Sequence, residues 1–420
     1  MRLLVLSHNS FSKQNSNGRT LGSLLFGWPK DSIAQFCISS DGADFDVCDN
    51  YYCVTDGDVL RSTLRLKPAK RRTLLDARKI DANSKNGHVK HRKTSINMFA
   101  RNIAWNLGIW KGKDFYEWID TFSPDMILLQ SGEAFFMHKL ALKLSKRTGA
   151  KLAIFNTEGF YFFKKDYFPS DGKIGKMLFR LYQLVYKLNF RKFMAKCDKQ
   201  IYLNEQLKED YDTEFNSIDS QVIYTSSSLS FKPQKISDPP IFCYFGNMGY
   251  DRDKILIEFA NTINRLNNSY KLNVYGFTKS EEMDKRLKSC ESIKFHGAVS
   301  YDEVKKAMEK CDFLVHVESQ SDFWKESLRY GFSTKIADSI SSGKIFILYS
   351  STDIACAKYI LTNNAGIFAS NPEQLITNIK NVLYNYDYYK SIVENARKVA
   401  GLNHCMENNA NKMRNYLTTK

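Results

Sequence analysis

Proline and glycine are scarce in this chain, 8 and 21 of 420 residues. That excludes collagen-like and long low-complexity stretches, and the chain is expected to fold over most of its length. The nine cysteines (37, 48, 53, 197, 243, 290, 311, 356 and 405) are odd in number, scattered and without a CxxC pair. Neither a disulfide framework nor a zinc ribbon is suggested, and buried reduced thiols are expected. No apolar run approaches the ~18 residues that a membrane-crossing helix needs. Met1–Ser7 (MRLLVLS) turns polar too soon for a signal peptide. A protein of a reducing cytoplasm is the expectation.

Charge is what the chain has in excess, with 61 Lys and Arg against 45 Asp and Glu. Positions 1–200 hold 34 basic and 18 acidic residues, whereas 201–420 hold 27 of each. The whole surplus of +16 therefore lies in the first half. A protein that coats nucleic acid, or an enzyme whose first domain faces an anionic surface, would both show such a split.

Short runs rich in Val, Ile, Leu and Phe alternate with helical periodicity. Strands are read at Leu3–Leu6, Met126–Gln130, Leu152–Phe155, Gln200–Leu203 and Gln221–Tyr224, then at Ile241–Phe245, Leu272–Tyr275, Ile293–His296, Phe313–Val317 and Ile345–Tyr349. This alternation predicts α/β architecture with two doubly wound, Rossmann-like domains, residues 1–230 and 231–400, and a C-terminal helix at 401–420 packing back on the first. The Ser/Pro-rich stretch Ser226–Pro240 marks the boundary. Ligands of such sheets sit beyond the carboxyl ends of the strands, so two facing domains would share a central cleft.

Two basic segments stand out in the first half. Ile174, Met177, Leu178, Leu181, Leu184, Val185 and Leu188 keep helical spacing and are accompanied by Lys173, Lys176, Arg180, Lys187, Arg191 and Lys192. This is either a helix packed on its sheet or a basic amphipathic helix lying on an anionic membrane. Arg61–Lys93 holds twelve Lys and Arg with only Asp76 and Asp81 as acids, again suited to a phosphate-rich surface. Trp105, Trp110 and Trp118 read as core residues.

Two motifs point to a nucleotide. Phe245–Lys254 (FGNMGYDRDK) follows a strand and opens a helix. Gly246 and Gly249 permit close backbone approach, the helix N-terminus offers free N–H groups, and Arg252 and Lys254 add charge. In Phe332–Gly343 (FSTKIADSISSG), Ser333 can cap a helix whose first-turn amides, with Thr334 and Lys335, meet a diphosphate. Asp338, one turn later, can accept from a ribose diol. The GxxxxGK[ST], GxGxxG and GxSxG patterns are absent, as are HxH and HxxxH spacings. The DxD triplets at Asp44, Asp210 and Asp251 are common by chance, so no metal and no cofactor are expected.

The order FGNMG, KLNVYG (Lys271–Gly276), Ile293–Ser319, FSTKIADSISSGK and AGIFASNPEQL (Ala365–Leu375) resembles the C-terminal half of a GT-B-fold glycosyltransferase, similar to glycosyltransferase family 4 of bacterial polysaccharide synthesis. The resemblance covers residues 240–400 and implies that Gly246, Asn247, Gly249, Arg252 and Lys254 bind the donor diphosphate. It places Asp338 where the family has a ribose-binding glutamate. The family's sugar-contacting glutamate, eight residues earlier, is Tyr330 here, and Glu326 is the nearest replacement. His316 lies where a family active-site loop begins and reads equally as a structural histidine.

The first domain is expected to hold the acceptor. Gly18 and Arg19 occupy the loop after its first strand, Glu133 follows Met126–Gln130, and Glu158 follows Leu152–Phe155 where family members often have a histidine. Glu158 is the preferred acceptor-side carboxylate and Glu133 the second, each with helix N-terminal capping as its other reading. The implied activity is transfer of a sugar from a nucleotide-diphosphate donor to a saccharide or lipid-linked saccharide, with retention and without metal, at the inner face of the plasma membrane. An epimerase or phosphorylase of the same fold is the alternative, and a nucleic-acid-binding protein is the rival from another class. The chain lacks helix-turn-helix, RNP and KH signatures, so no nucleic-acid partner is expected.

Overall fold

The computed structural model describes residues 1–13, 15–39, 42–76, 94–164, 172–217 and 219–419. The chain divides into two units, Met1–Tyr224 with Asn409–Lys420, and Thr225–Asn408. The first is built on strands β1 (Leu3–Ser7), β2 (Ile33–Cys37), β3 (Asn50–Cys53), β4 (Met126–Ser131), β5 (Lys151–Asn156), β6 (Lys199–Tyr202) and β7 (Ser220–Val222). The second is built on β8 (Phe242–Phe245), β9 (Leu272–Tyr275), β10 (Ile293–Gly297), β11 (Phe313–Val317), β12 (Ile345–Tyr349) and β13 (Ile367–Ala369).

Strand order is β3-β2-β1-β4-β5-β6-β7 in one sheet and β10-β9-β8-β11-β12-β13 in the other. All pairings are parallel, with Leu3 opposite Met126 and Phe242 opposite Phe313 at the centres. Central strands such as β1 (LLVLS) and β12 (IFILY) are buried at every residue, as expected where helices cover both faces of a parallel sheet. In each sheet the winding reverses once, between β1 and β4 and between β8 and β11. The carboxyl ends of those pairs are the topological switch points where ligands of open sheets bind.

The ten strands read from sequence are present. Three others were hidden: Gln35 interrupts the apolar run of β2, β3 is the aromatic NYYC, and β13 is only three residues long. The units divide at Tyr224 and Asn408 rather than at 230 and 400. Ser227 explains the first shift, because its N–H donates to the His404 carbonyl at 2.9 Å and its hydroxyl to Asp338 Oδ1 at 2.8 Å. The end of the chain joins the first unit through Tyr416, whose hydroxyl accepts from the Gln200 N–H at 3.1 Å and donates to the Asp219 carbonyl at 2.9 Å.

The helix Lys173–Met194 packs by a different face from the one its aliphatic spacing marks. Phe179, Tyr182, Tyr186, Phe190 and Phe193 are buried, whereas Ile174, Met177, Leu181, Leu184 and Leu188 are exposed. Of the basic tract Arg61–Lys93, residues 77–93 lie outside the described residues. Within the remainder, Arg61 and Arg72 both pair with Asp58. Trp105 and Trp110 are core residues, while the Trp118 indole donates to Asn50 Oδ1 at 2.6 Å. Among the described residues no helix is long and apolar enough to cross a membrane.

Candidate functional site

The turn after β8 is drawn tightly over its neighbours. The Gly246 N–H donates to the Tyr275 carbonyl at 2.9 Å and the Gly276 N–H to the Gly297 carbonyl at 2.8 Å, so the turns beyond β8, β9 and β10 are stitched together. Gly276 has φ +152°, and a Cβ there would lie 1.6 Å from the Gly246 carbonyl oxygen. Only glycine permits this crossing. Met248 is fully buried and pins the turn from beneath. Tyr250 and Asp251, not the glycines beside them, take the left-handed conformation that redirects the chain into the helix Arg252–Leu266, with φ of 62° and 56°. Asp251 is held there by the Trp324 indole, which donates to Oδ2 at 2.9 Å.

Arg252 spans the switch point. Its Nε and Nη2 donate to Glu318 Oε2 and Oε1 at 2.9 and 2.7 Å, and its Nη1 donates to Asn247 Oδ1 at 3.1 Å. The same Asn247 oxygen accepts the Gly249 N–H at 3.1 Å. His316 Nε2 lies 3.0 Å from Glu318 Oε1. A carboxylate only accepts, so Nε2 carries the proton. Burial works against ionisation of Glu318, yet the His316 hydrogen bond and the Arg252 charge outweigh it and hold the carboxyl down at about 2. Burial likewise pushes His316 below the ordinary histidine range, against the pull of Glu318. Arg252 is therefore a brace for the turn as well as a charge beside it. Glu318 is the functional candidate that sequence reading passed over.

Lys335 joins this turn from the second motif. Ser333 caps the helix Thr334–Ser341 by accepting the Lys335 N–H at 3.3 Å. A Cβ built on Gly246 would meet Lys335 Nζ at 2.7 Å, so the two motifs converge on one place. Lys279, not anticipated from sequence, stands beside Gly249, its Nζ 2.9 Å from where a Cβ would be. Lys254 points elsewhere, with Nζ 3.2 Å from Asp251 Oδ1 and a largely exposed side chain. Thr334 is half-buried at the first position of the Ser333-capped helix. Asp338 holds the Ser227 hydroxyl. Glu326 is half-buried on the helix Asp322–Leu328, and Tyr330 is buried beneath the Arg329 guanidinium, 5.4 Å from its ring centre.

In the first unit the loop beyond β1 is filled by its own backbone. A Cβ on Gly18 would lie 2.4 Å from the Ser10 carbonyl oxygen, and Asn15 Oδ1 accepts the Gly18 N–H at 2.7 Å. Arg19 is half-buried in the helix Ser16–Ser23. Gln35 fastens the loop from β2: its amide donates to Ser7 Oγ at 2.7 Å and the Asn9 carbonyl at 3.1 Å, and its oxygen accepts the Phe11 N–H at 2.9 Å. Glu133 lies 3.8 Å from Arg101, whose Nε also bonds Asp56 at 2.8 Å. Glu158 is exposed in the segment after β5.

The DxD carboxylates Asp44, Asp46, Asp212, Asp251 and Asp253 are engaged with cations. Asp253 is buried against Arg286 at 2.6 Å, Asp44 and Asp46 share Lys13, and Asp212 holds Lys208 at 2.6 Å. Among the described residues no group of three or more His, Cys, Asp or Glu is gathered as a metal would require.

Residues 239–385 match the family model of glycosyl transferases group 1. No curated protein is similar to the chain in sequence. Among solved structures, HepE from Anabaena in complex with UDP superposes with a TM-score of 0.62 at 11% identity, covering 100% of each chain. Sucrose-phosphate synthase from Thermosynechococcus elongatus gives 0.61 at 13% identity, covering 99% of this chain and 97% of its own. A putative UDP-N-acetylglucosamine 2-epimerase from Listeria monocytogenes gives 0.51 at 10% identity, covering 98% and 94%. The architecture is thus the GT-B fold of two Rossmann-like units.

Proposed function

We propose that this protein transfers a sugar from a nucleotide-diphosphate donor to a hydroxyl of a lipid-linked or growing saccharide, in the assembly of a bacterial surface polysaccharide at the cytoplasmic membrane. The observation that carries the reading is the convergence of Lys335 on the Gly246 turn at the carboxyl edge of β8. HepE was solved with UDP, which favours a uridine diphosphate donor here.

In this reading the diphosphate lies against the Gly246–Gly249 backbone, and Lys335, Lys279 and Arg252 face the negative charge that grows on it as the glycosidic bond breaks. Fixed cations in that position do the work a metal would otherwise do. Asp338 is the ribose-side carboxylate, Glu326 stands nearest the transferred sugar, and Glu158, with Glu133 and the Gly18–Arg19 loop, serves the acceptor side. Retention of configuration is the outcome that the family resemblance implies.

A ligand that binds only the folded state raises apparent stability. Among UDP-, GDP-, ADP- and CMP-linked sugars, a UDP-sugar is therefore expected to raise the melting temperature most. Lys335→Ala is expected to remove that shift and to lower kcat on the order of a hundredfold. Unchanged turnover in Lys335→Ala would refute the assignment of the site. Conversion of the donor sugar without any acceptor would identify an epimerase instead.

A further inference from the structure

The helix Lys173–Met194 has a face that the packing of its own unit leaves unused. Phe179, Tyr182, Tyr186, Phe190 and Phe193 fill the inner side. At 100° per residue, Ile174, Met177, Leu181, Leu184 and Leu188 fall within an arc of roughly 80° on the opposite side. Each is between 47% and 69% exposed. Five aliphatic residues in a continuous row on the outside of a 22-residue helix are not the scattered exposed apolar residues of an ordinary surface.

The charges beside the row are of one sign. The helix carries six Lys and Arg and no Asp or Glu. Arg191 is answered by Glu214 at 2.6 Å, and Lys187 lies over the Tyr161 ring. Lys173, Arg180 and Lys192 have no carboxylate within ion-pair distance among the described residues.

We infer that this face docks on an anionic lipid bilayer, with the aliphatic row at the acyl boundary and the lysines and arginines among the headgroups. The inference deepens the membrane-side reading given above, on which its biological meaning rests. The 3-4-3-4 spacing would also suit the seam of a two-helix coiled coil. Two copies of this helix, which itself carries six Lys and Arg and no Asp or Glu, would then bring cations against cations. A bilayer of negative headgroups supplies the missing charge, and long basic side chains can reach it while their stems cover apolar surface.

The test is sedimentation of the full chain with vesicles of phosphatidylglycerol mixed into phosphatidylcholine, and with phosphatidylcholine alone. The protein is expected to pellet with the anionic vesicles and much less with the neutral ones, and to be released by high salt. Leu181→Ser combined with Leu184→Ser should lower partition on the order of tenfold while leaving the melting curve unchanged, because both residues already face water. Unchanged partition of that variant would overturn the inference, as would equal pelleting on neutral vesicles. A wild-type dimer in analytical ultracentrifugation that the same variant disperses would assign the face to a second copy instead. Donor binding, followed by thermal shift on the same preparations, separates the two readings. Vesicle binding without a donor shift breaks the functional proposal alone, and a donor shift without vesicle binding breaks this inference alone.

Discussion

The two sheets wind in the same order, yet their switch points are braced by opposite means. Beyond β1 the buried brace is neutral, with Gln35 reaching Ser7, Asn9 and Phe11 and Gly18 packed against the Ser10 backbone, while the Lys13 pair with Asp44 and Asp46 sits at its exposed rim. Beyond β8 the turn is held by charge, with Arg252 clasped by Glu318 across to β11 and Lys335 and Lys279 set against its glycines. Topology provides a place for a ligand in both units. The second fits that place with cations set against its glycines, whereas in the first the loop beyond β1 is filled by its own backbone and its Lys13 is paired with Asp44 and Asp46.

The comparison breaks most sharply at Glu318. Glu318→Ala leaves Arg252 buried with its principal partner gone, and loss of one member of a buried pair costs about 3–5 kcal/mol. Chemical denaturation followed by hydrogen exchange in β11 and β8 should locate that loss in the second unit. Acid tests the same brace in the wild type. The folded Glu318 carboxyl, near 2, lies below its ordinary 4.5, so its contribution is complete above about 4.5 and fades as pH falls toward 2. If the variant melted like the wild type and kept its donor shift, the charged brace would be incidental.

Gln35→Leu probes the neutral counterpart. The buried Ser7 hydroxyl, Asn9 carbonyl and Phe11 N–H each lose a partner, for an expected cost of about 1–3 kcal/mol. Unlike Glu318→Ala, the loss should not change between pH 7 and acid, because Gln35 does not titrate. A cost that grew with acid would mean that an ionisable group shares in the first brace and would erase the distinction.

These two residues also show what the sequence could and could not disclose. The glycine turn and the capped lysine helix are local patterns, so Gly246 and Lys335 were visible as soon as strands were assigned, and only their meeting required the fold. Glu318 takes its role from an arginine 66 residues away, a separation no spacing rule reaches. Gln35 hid β2 by interrupting its apolar run, although its amide is what fastens the loop beyond β1. The helix Lys173–Met194 misled in another way. Its aliphatic row fitted a helix packed on its sheet as well as one lying on a membrane, but the side that packs is aromatic and lies opposite, because one helix carries two apolar faces.

Lys254 gives the smallest expected effect and the finest distinction among the cations of the charged turn. Sequence reading grouped it with Arg252, yet its ammonium sits 3.2 Å from Asp251 on an exposed side chain. Burial opposes ionisation of Asp251, and the Trp324 indole and Lys254 together hold it below the usual carboxylate range. An exposed pair of this kind contributes less than about 1 kcal/mol. Lys254→Ala should therefore leave the melting temperature nearly unchanged and move kcat/KM by no more than a few-fold, against the hundredfold expected of Lys335→Ala. Steady-state kinetics of the two variants side by side would rank them. A large loss in Lys254→Ala would show that its ammonium leaves Asp251 for the donor during turnover, and the charged turn would then gain a cation that its resting geometry assigns to its own scaffold.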